Sequence, residues 1–279
     1  MAVQGTVAVI GATGNQGGAA ARHLLEQGAQ VRALVRDAAS PKAAWLSDAG
    51  ASLVQADLDD PSSVLSALRG ADTLFAMMTP FGPDGVEGEL RQGRTVAEAA
   101  RDAEVRQVVY SSVGGADRSS GVPHFESKWA VEEYLRDLGL DLTVIRPVFF
   151  MENLGGAAAE EGDELVVRLP LVPGVPLQMI AVEDIGAICA TAVLDPQRIP
   201  GGELEIGSDE LTPEQITAAF AEAAGRPARF EPVPLASISD PDMHAMWSWF
   251  SQVPAYRADF ATTRQLRPSA LTFSDWLRS

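Results

Sequence analysis

The residues best suited to chemistry in this sequence begin with Gly11, Thr13, Gly14, Asn15, Gln16 and Gly17, a G-x-x-G-x-x-G stretch that follows the apolar run 7–10 without a gap. Glycine admits positive φ and close backbone approach, and the free N–H groups of a helix starting here would face an anion, so the stretch suits a pyrophosphate. About 20 residues beyond such glycines, the end of the next strand chooses between dinucleotides: an acidic side chain holds a ribose 2′-hydroxyl, and Arg pairs with a 2′-phosphate. Here the order is Val35-Arg36-Asp37. Arg36 favours NADP(H), and Asp37 keeps NAD(H) open. His124 and Lys128 are four residues apart and share one helix face. A compact ammonium can bind the nicotinamide ribose where the flat fork of Arg could not, and His can relay a proton near neutral pH. These two are the candidate catalytic residues; the alternatives are a solvated Lys128 and an exposed first-turn His124. Asp57, followed by Leu58, is placed to accept from the adenine amino group or to cap the next helix. The segment from Met77 and Met78 to Thr79 would pass its backbone beside the bridging ribose.

The elements that must position these groups alternate in a regular rhythm. Strands are expected at 6–10, 30–35, 52–56, 73–77, 107–111 and 142–146, and amphipathic helices at 15–27, 41–48, 61–68, 86–102 and 124–138. Pro41 and Pro61 stand at first helical turns. Strand–helix alternation implies right-handed crossovers and a parallel sheet with helices on both faces, with ligand sites at the carboxyl ends of the strands. The fold class is therefore α/β: a Rossmann-type doubly wound sheet in 1–150, completed by part of 177–206, with a smaller, partly helical substrate or partner lobe in 151–279. Residues 155–176, rich in Gly, Ala and acidic residues, read as a loop or lid. Met243, Met246, Trp247, Trp249 and Phe250 form an aromatic stripe that is either an acceptor pocket or core.

Composition narrows the partners. The 279 residues are 46% hydrophobic and carry a net charge of −17, so the chain is globular and unsuited to direct nucleic-acid binding. No apolar run reaches membrane-spanning length, and Met1 to Thr6 lack the basic flank of a signal peptide, which together point to the cytoplasm. Lone Cys189 cannot form an internal disulfide. His23, His124 and His244 lack the spacing of a metal site. Gly5 and Ser112 form no G-x-S-x-G elbow, which leaves hydrolase chemistry without support. Lys42 and Lys128 are the only lysines among 21 basic residues, so each occupies a place where Arg might not serve.

The glycine stretch, the strand 31–37, the block His124-Phe125-Glu126-Ser127-Lys128, and later landmarks at 145–154, 182–186 and 271–277 make the chain resemble the NmrA-like family, an atypical branch of the short-chain dehydrogenases and reductases. It is similar to HSCARG-type NADP(H) sensors and to bacterial quinone and dye reductases over nearly its whole length. The resemblance implies NADP(H) contacts at Gly11, Thr13, Gly14, Asn15, Gln16, Gly17, Arg36, Asp57 and Lys128, with Phe150 and Asn153 near the nicotinamide. Typical short-chain reductases carry Tyr-x-x-x-Lys; His124 stands in the Tyr position, which argues against ordinary ketone reduction. The expected activity is hydride transfer from NADPH to an electron-poor acceptor: a quinone, a dye or an activated alkene. The alternative is a non-catalytic NADP(H) redox sensor that regulates a protein partner, and a third is an isomerase or biosynthetic reductase. The partners this reading allows are a small-molecule acceptor, a regulated protein and a second copy of the chain.

Overall fold

The computed structural model describes residues 5–279; Met1 to Gln4, read above as free of a leader, lie outside the described residues. The strands are β1 (Thr6–Ile10), β2 (Gln30–Val35), β3 (Ser52–Gln55), β4 (Thr73–Ala76), β5 (Gln107–Ser111), β6 (Leu142–Pro147), β7 (Phe149–Phe150), β8 (Ala158–Glu161), β9 (Glu164–Leu169), β10 (Leu177–Ile180), β11 (Glu203–Ile206), β12 (Asp209–Leu211) and β13 (Ala228–Pro232). The helices are α1 (Asn15–Glu26), α2 (Pro41–Asp48), α3 (Pro61–Leu68), α4 (Gly85–Asp102), α5 (Pro123–Asp137), α6 (Val182–Leu194), α7 (Pro213–Ala224), α8 (Pro241–Phe250), α9 (Phe260–Leu266) and α10 (Phe273–Trp276).

Seven strands form one parallel sheet in the order β11-β6-β5-β4-β1-β2-β3. From β1 the chain first builds outward through β2 and β3, then returns to the other side of β1 at β4. The crevice between β1 and β4 is thus the topological switch point, where ligands bind in open α/β sheets. The strand interiors are almost wholly buried, as expected of a parallel sheet covered on both faces. One face packs on α1, α2 and α6 through Ala20, Leu24, Leu46, Ile185 and Ile188, and the other on α3, α4 and α5 through Leu68, Val96, Ala100, Val131 and Leu135.

Glycines let the helices approach closely on each face. A Cβ on Gly186 of α6 would strike the Ala19 Cβ of α1, and one on Gly93 of α4 would strike Val131 of α5. These contacts fix the helix that follows the glycine turn and the helix that carries His124 and Lys128.

Residues 155–176 are not a bare loop. They contain the hairpin β8–β9, turned at Glu161 and Glu164, and β13 adds in parallel to β9 as a separate three-stranded sheet. The reason lies in Leu165-Val166-Val167-Arg168-Leu169, an apolar run whose Leu165, Val166 and Val167 are buried, while the Gly and acidic residues confine themselves to its flanks. A third small sheet, β12-β10-β7, places Phe149 and Phe150 beside the carboxyl end of β6. Among the described residues no helix is long and apolar enough to cross a membrane, and none form a cluster of three or more metal-ligating side chains.

Replacing Gly186 by Val should destabilise the fold by about 1–3 kcal/mol, the usual cost of overpacking. Urea unfolding checks it; an unchanged midpoint would mean that α1 and α6 can separate freely.

Candidate functional site

The β1–α1 turn is built as a cradle. Gly11 takes φ +74°, Gly14 N–H donates to its carbonyl at 2.8 Å, and a Cβ on Gly17 would run into that same carbonyl. A Cβ on Gly11 would lie 2.7 Å from Met77 Sδ at the end of β4. Gly14 caps α1 without a side chain, and the first turn carries no acidic residue, so its N–H groups are left for an anion.

Two pockets flank this turn. The first, a surface pocket of about 350 Å³, is lined by Thr13, Val35, Arg36, Asp37, Ser40 and Lys42. Neither Arg36 nor Lys42 has a carboxylate partner among the described residues, whereas Asp37 Oδ1 accepts from the Ala39 N–H at 2.9 Å. The second is a cavity of about 330 Å³ at the switch point. Gln16, Met77, Met78, Thr79, Ser112, His124, Lys128, Phe149, Phe150 and Asn153 line one side, and Phe81, Met243, Met246, Trp247 and Tyr256 line the other. Thr13 belongs to one pocket and Gln16 to the other, so the glycine turn bridges them.

Inside the cavity wall, Lys128 Nζ donates to Glu89 Oε1 at 2.7 Å and to the Met78 carbonyl at 3.1 Å, while Ser127 Oγ–H donates to Glu89 Oε2. Glu89 has no exposed surface and Lys128 is 9% exposed. His124 is buried, its Nδ1 lies 2.6 Å from Asp242 Oδ1, and its ring packs edge-on against Phe125 at 4.7 Å. Burial pulls the His124 pKa below its ordinary value, against the opposing pull of Asp242, which favours the neutral ring.

This frame matches known proteins. A model of the NmrA-like family matches residues 3–276. The chain belongs to the NmrA-like family. The NAD(P)H azoreductase of Xenophilus azovorans is 32% identical over 234 residues, which cover 82% of this chain and 77% of the relative. The solved structure of NmrA, a negative transcriptional regulator, in complex with NADP superposes with a TM-score of 0.85 at 23% identity, covering 99% of this chain and 94% of that one. The NADPH-dependent quinone oxidoreductase QOR2 of Escherichia coli, complexed with NADPH, gives 0.82 at 24% identity and 98% coverage of both chains. At those identities the two structures show the shared Rossmann-like fold.

Within this NmrA-like fold the expected residues sort into neighbouring groups. Gly11, Gly14, Asn15 and Gly17 form the turn; Thr13 and Arg36 face the surface pocket; Gln16, Met78, Thr79, His124, Lys128, Phe150 and Asn153 surround the cavity. Asp57 and Leu58 follow β3 and line neither pocket. Asp57 does not cap α3: its Oδ1 accepts from the Asp59 N–H, and the cap is Asp60, which accepts from Ser62 and Ser63. The alternatives of a solvated Lys128 and an exposed His124 are overturned, because α4 and α8 cover them. The aromatic stripe divides by helix face: Met243, Met246 and Trp247 reach the cavity, and Trp249 and Phe250 are buried with Phe125 and Tyr256.

Glu89, Asp242, Ser112 and Tyr256 complete the site without having been singled out. Glu89 had a signal: with Gly93, Val96 and Ala100 it lies on the buried stripe of α4, a carboxylate awaiting a cation. Asp242 had none, since 118 residues separate it from His124. Ser112 Oγ is buried in the cavity wall without a protein partner. Tyr110 is wholly buried with an unpartnered hydroxyl, and burial raises its pKa well above the ordinary phenol value, which disqualifies it as a stand-in for the missing Tyr. Cys189, whose thiol is pushed up to about 12 by burial, is inert.

Replacing Lys128 by Met should cost about 3–5 kcal/mol, because Glu89 is left buried and unpaired. The double replacement Lys128→Met with Glu89→Leu should recover most of that loss in urea unfolding; additive losses would show that the pair is not coupled.

Proposed function

We propose that this NmrA-like protein binds NADP(H) across its glycine turn and reduces electron-poor aromatic acceptors, of the quinone or dye type, in the cavity at the switch point. The observation that carries the cofactor reading is the bridge made by the turn: Thr13 lines the pocket of Arg36 and Lys42, and Gln16 of the same turn lines the cavity at the switch point. A dinucleotide needs such an arrangement, with the pyrophosphate on the amides of α1 between its two halves. The residues present fit the group. The cradle is one that side chains at Gly11 and Gly17 would fill, and the Ser112 hydroxyl lacks a protein partner.

Arg36 and Lys42, with Ser40 and Thr13, would hold the 2′-phosphate. Arg36 and Lys42 border one pocket, and a dianionic phosphate there would pair with both. Asp37 is turned onto its own loop, which favours NADP(H) over NAD(H). Gln16, Phe150 and Asn153 would border the nicotinamide, and Asp57 would stand near the adenine. The bound cofactor supplies a hydride. Lys128 serves chiefly to anchor its helix, since two of its three protons go to Glu89 and Met78; its third is available to a ribose hydroxyl.

The acceptor wall is apolar and aromatic. Met243, Met246 and Trp247 of α8 and the exposed ring of Phe81 suit a flat, polarisable molecule. Such acceptors tolerate the absence of the usual Tyr, because the anion formed on reduction is delocalised. The azoreductase relative and the quinone oxidoreductase neighbour support this acceptor class.

The test is to titrate the protein with NADPH and NADH, then follow the nicotinamide absorbance with a panel of quinones and dyes. Tight NADPH binding without consumption by any acceptor would replace the reductase by the sensor reading. Arg36→Ala should weaken NADPH by roughly 10- to 100-fold, the worth of a charged hydrogen bond or two, with little change for NADH. Equal losses would remove Arg36 from the phosphate site. Trp247→Ala should raise the acceptor KM by roughly tenfold, as expected for lost aromatic burial, while NADPH affinity holds. Parallel loss of both would make Trp247 a core residue.

A further inference from the structure

We infer that Asp242, at the start of α8, is the positioning residue that fixes the tautomer of His124 and so makes Nε2 the atom that exchanges a proton with the bound acceptor. An ionised carboxylate accepts hydrogen bonds and donates none, so the 2.6 Å contact places a proton on Nδ1 of His124. The same Oδ1 accepts the His124 backbone N–H at 3.2 Å, which ties the carboxylate to the first turn of α5 as well as to the ring. The rings of Phe125 and Phe81, at 4.7 and 5.9 Å, restrict rotation of the imidazole. Nε2 is left with no partner among the described residues, on a side chain that lines the cavity.

The catalytic half of this inference rests on the reductase reading. Hydride addition at one end of a quinone's conjugated system would push an electron pair through it onto the carbonyl oxygen at the other end. The proton on Nε2 of the imidazolium passes to that oxygen, and neutral His124 keeps its Nδ1 proton on Asp242. Solvent then restores the proton. The charged groups facing the ring are Asp242 of α8, Glu89 of α4 and Lys128 of its own helix; burial and Lys128 lower its pKa, and the two carboxylates raise it. Proton delivery is therefore greatest on the acid side and fades as pH rises through the lowered pKa of His124. Asp242 stands one residue before Met243 and four before Met246, so the helix that contacts the acceptor also aims the proton donor.

With three histidines in the chain, His124 can be assigned in long-range proton–nitrogen spectra by replacing His23 and His244 with Gln. At neutral pH and without cofactor, the expected spectrum shows Nδ1 protonated and Nε2 bare, the minor form of free imidazole. Asp242→Ala should shift it to the Nε2-protonated form, and Asp242→Asn, which keeps an acceptor, should hold the Nδ1 proton. An Nε2-protonated ring in the unaltered protein, or an unchanged tautomer in Asp242→Ala, overturns the assignment, and the first readout needs no variant to fold. With an active acceptor, Asp242→Ala should lower kcat roughly 10- to 100-fold at acid pH and flatten its pH profile while leaving KM near its starting value. An unchanged profile overturns the proton-delivery role. Absence of turnover in the unaltered protein, with the expected tautomer, refutes the reductase and leaves the positioning of His124 standing.

Discussion

A lysine ammonium held by a fully buried glutamate organises the wall of the switch-point cavity. Lys128 and Glu89 join α5 to α4, and the Met78 carbonyl joins both to the end of β4, so three elements that meet at the switch point are locked by one charge pair. Taking both charges out of water is costly, and the pair stays favourable because Ser127 and Met78 satisfy the remaining groups. A consequence is that the wall of the cavity nearest the cofactor turn is rigid. The opposite wall, α8 and the Phe81 loop, comes from segments far apart in the chain.

The division of labour follows from that asymmetry. The cofactor side is made of backbone: positive φ at Gly11, close approach at Gly17 and the unfilled amides of α1. The α8 side is made of polarisable side chains with few polar groups, a lining that suits recognition by shape and stacking more than by hydrogen bonds. Between them, His124 lies on a helix of the Rossmann frame, and its carboxylate partner belongs to α8.

Much of this was legible in the sequence, for reasons that can be given residue by residue. The glycine turn, Arg36 and the alternation of strands and helices depend on local rules: glycine at positive φ, periodicity of apolar residues, and the fixed sequence distance from the turn to the end of the second strand. The hairpin at 158–169 was obscured because acidic and Gly residues on its exposed flank outweighed a short buried run. The aromatic stripe of α8 could not be divided into pocket and core, because both faces carry large side chains and only the packing against Phe125 and Tyr256 separates them.

The sequence by itself determined the doubly wound α/β fold, the place of the glycine turn and the position of Arg36 at the end of β2, since each is set by interactions within about one strand–helix unit. Tertiary structure alone decided the state of the side chains at the reacting end. Lys128 is paired and not solvated because Glu89 lies 39 residues away on a neighbouring helix, and His124 is buried and oriented because Asp242 returns to it across 118 residues. The charge, tautomer and exposure of those groups depend on what surrounds them in space, and nothing in their own helix prescribes it.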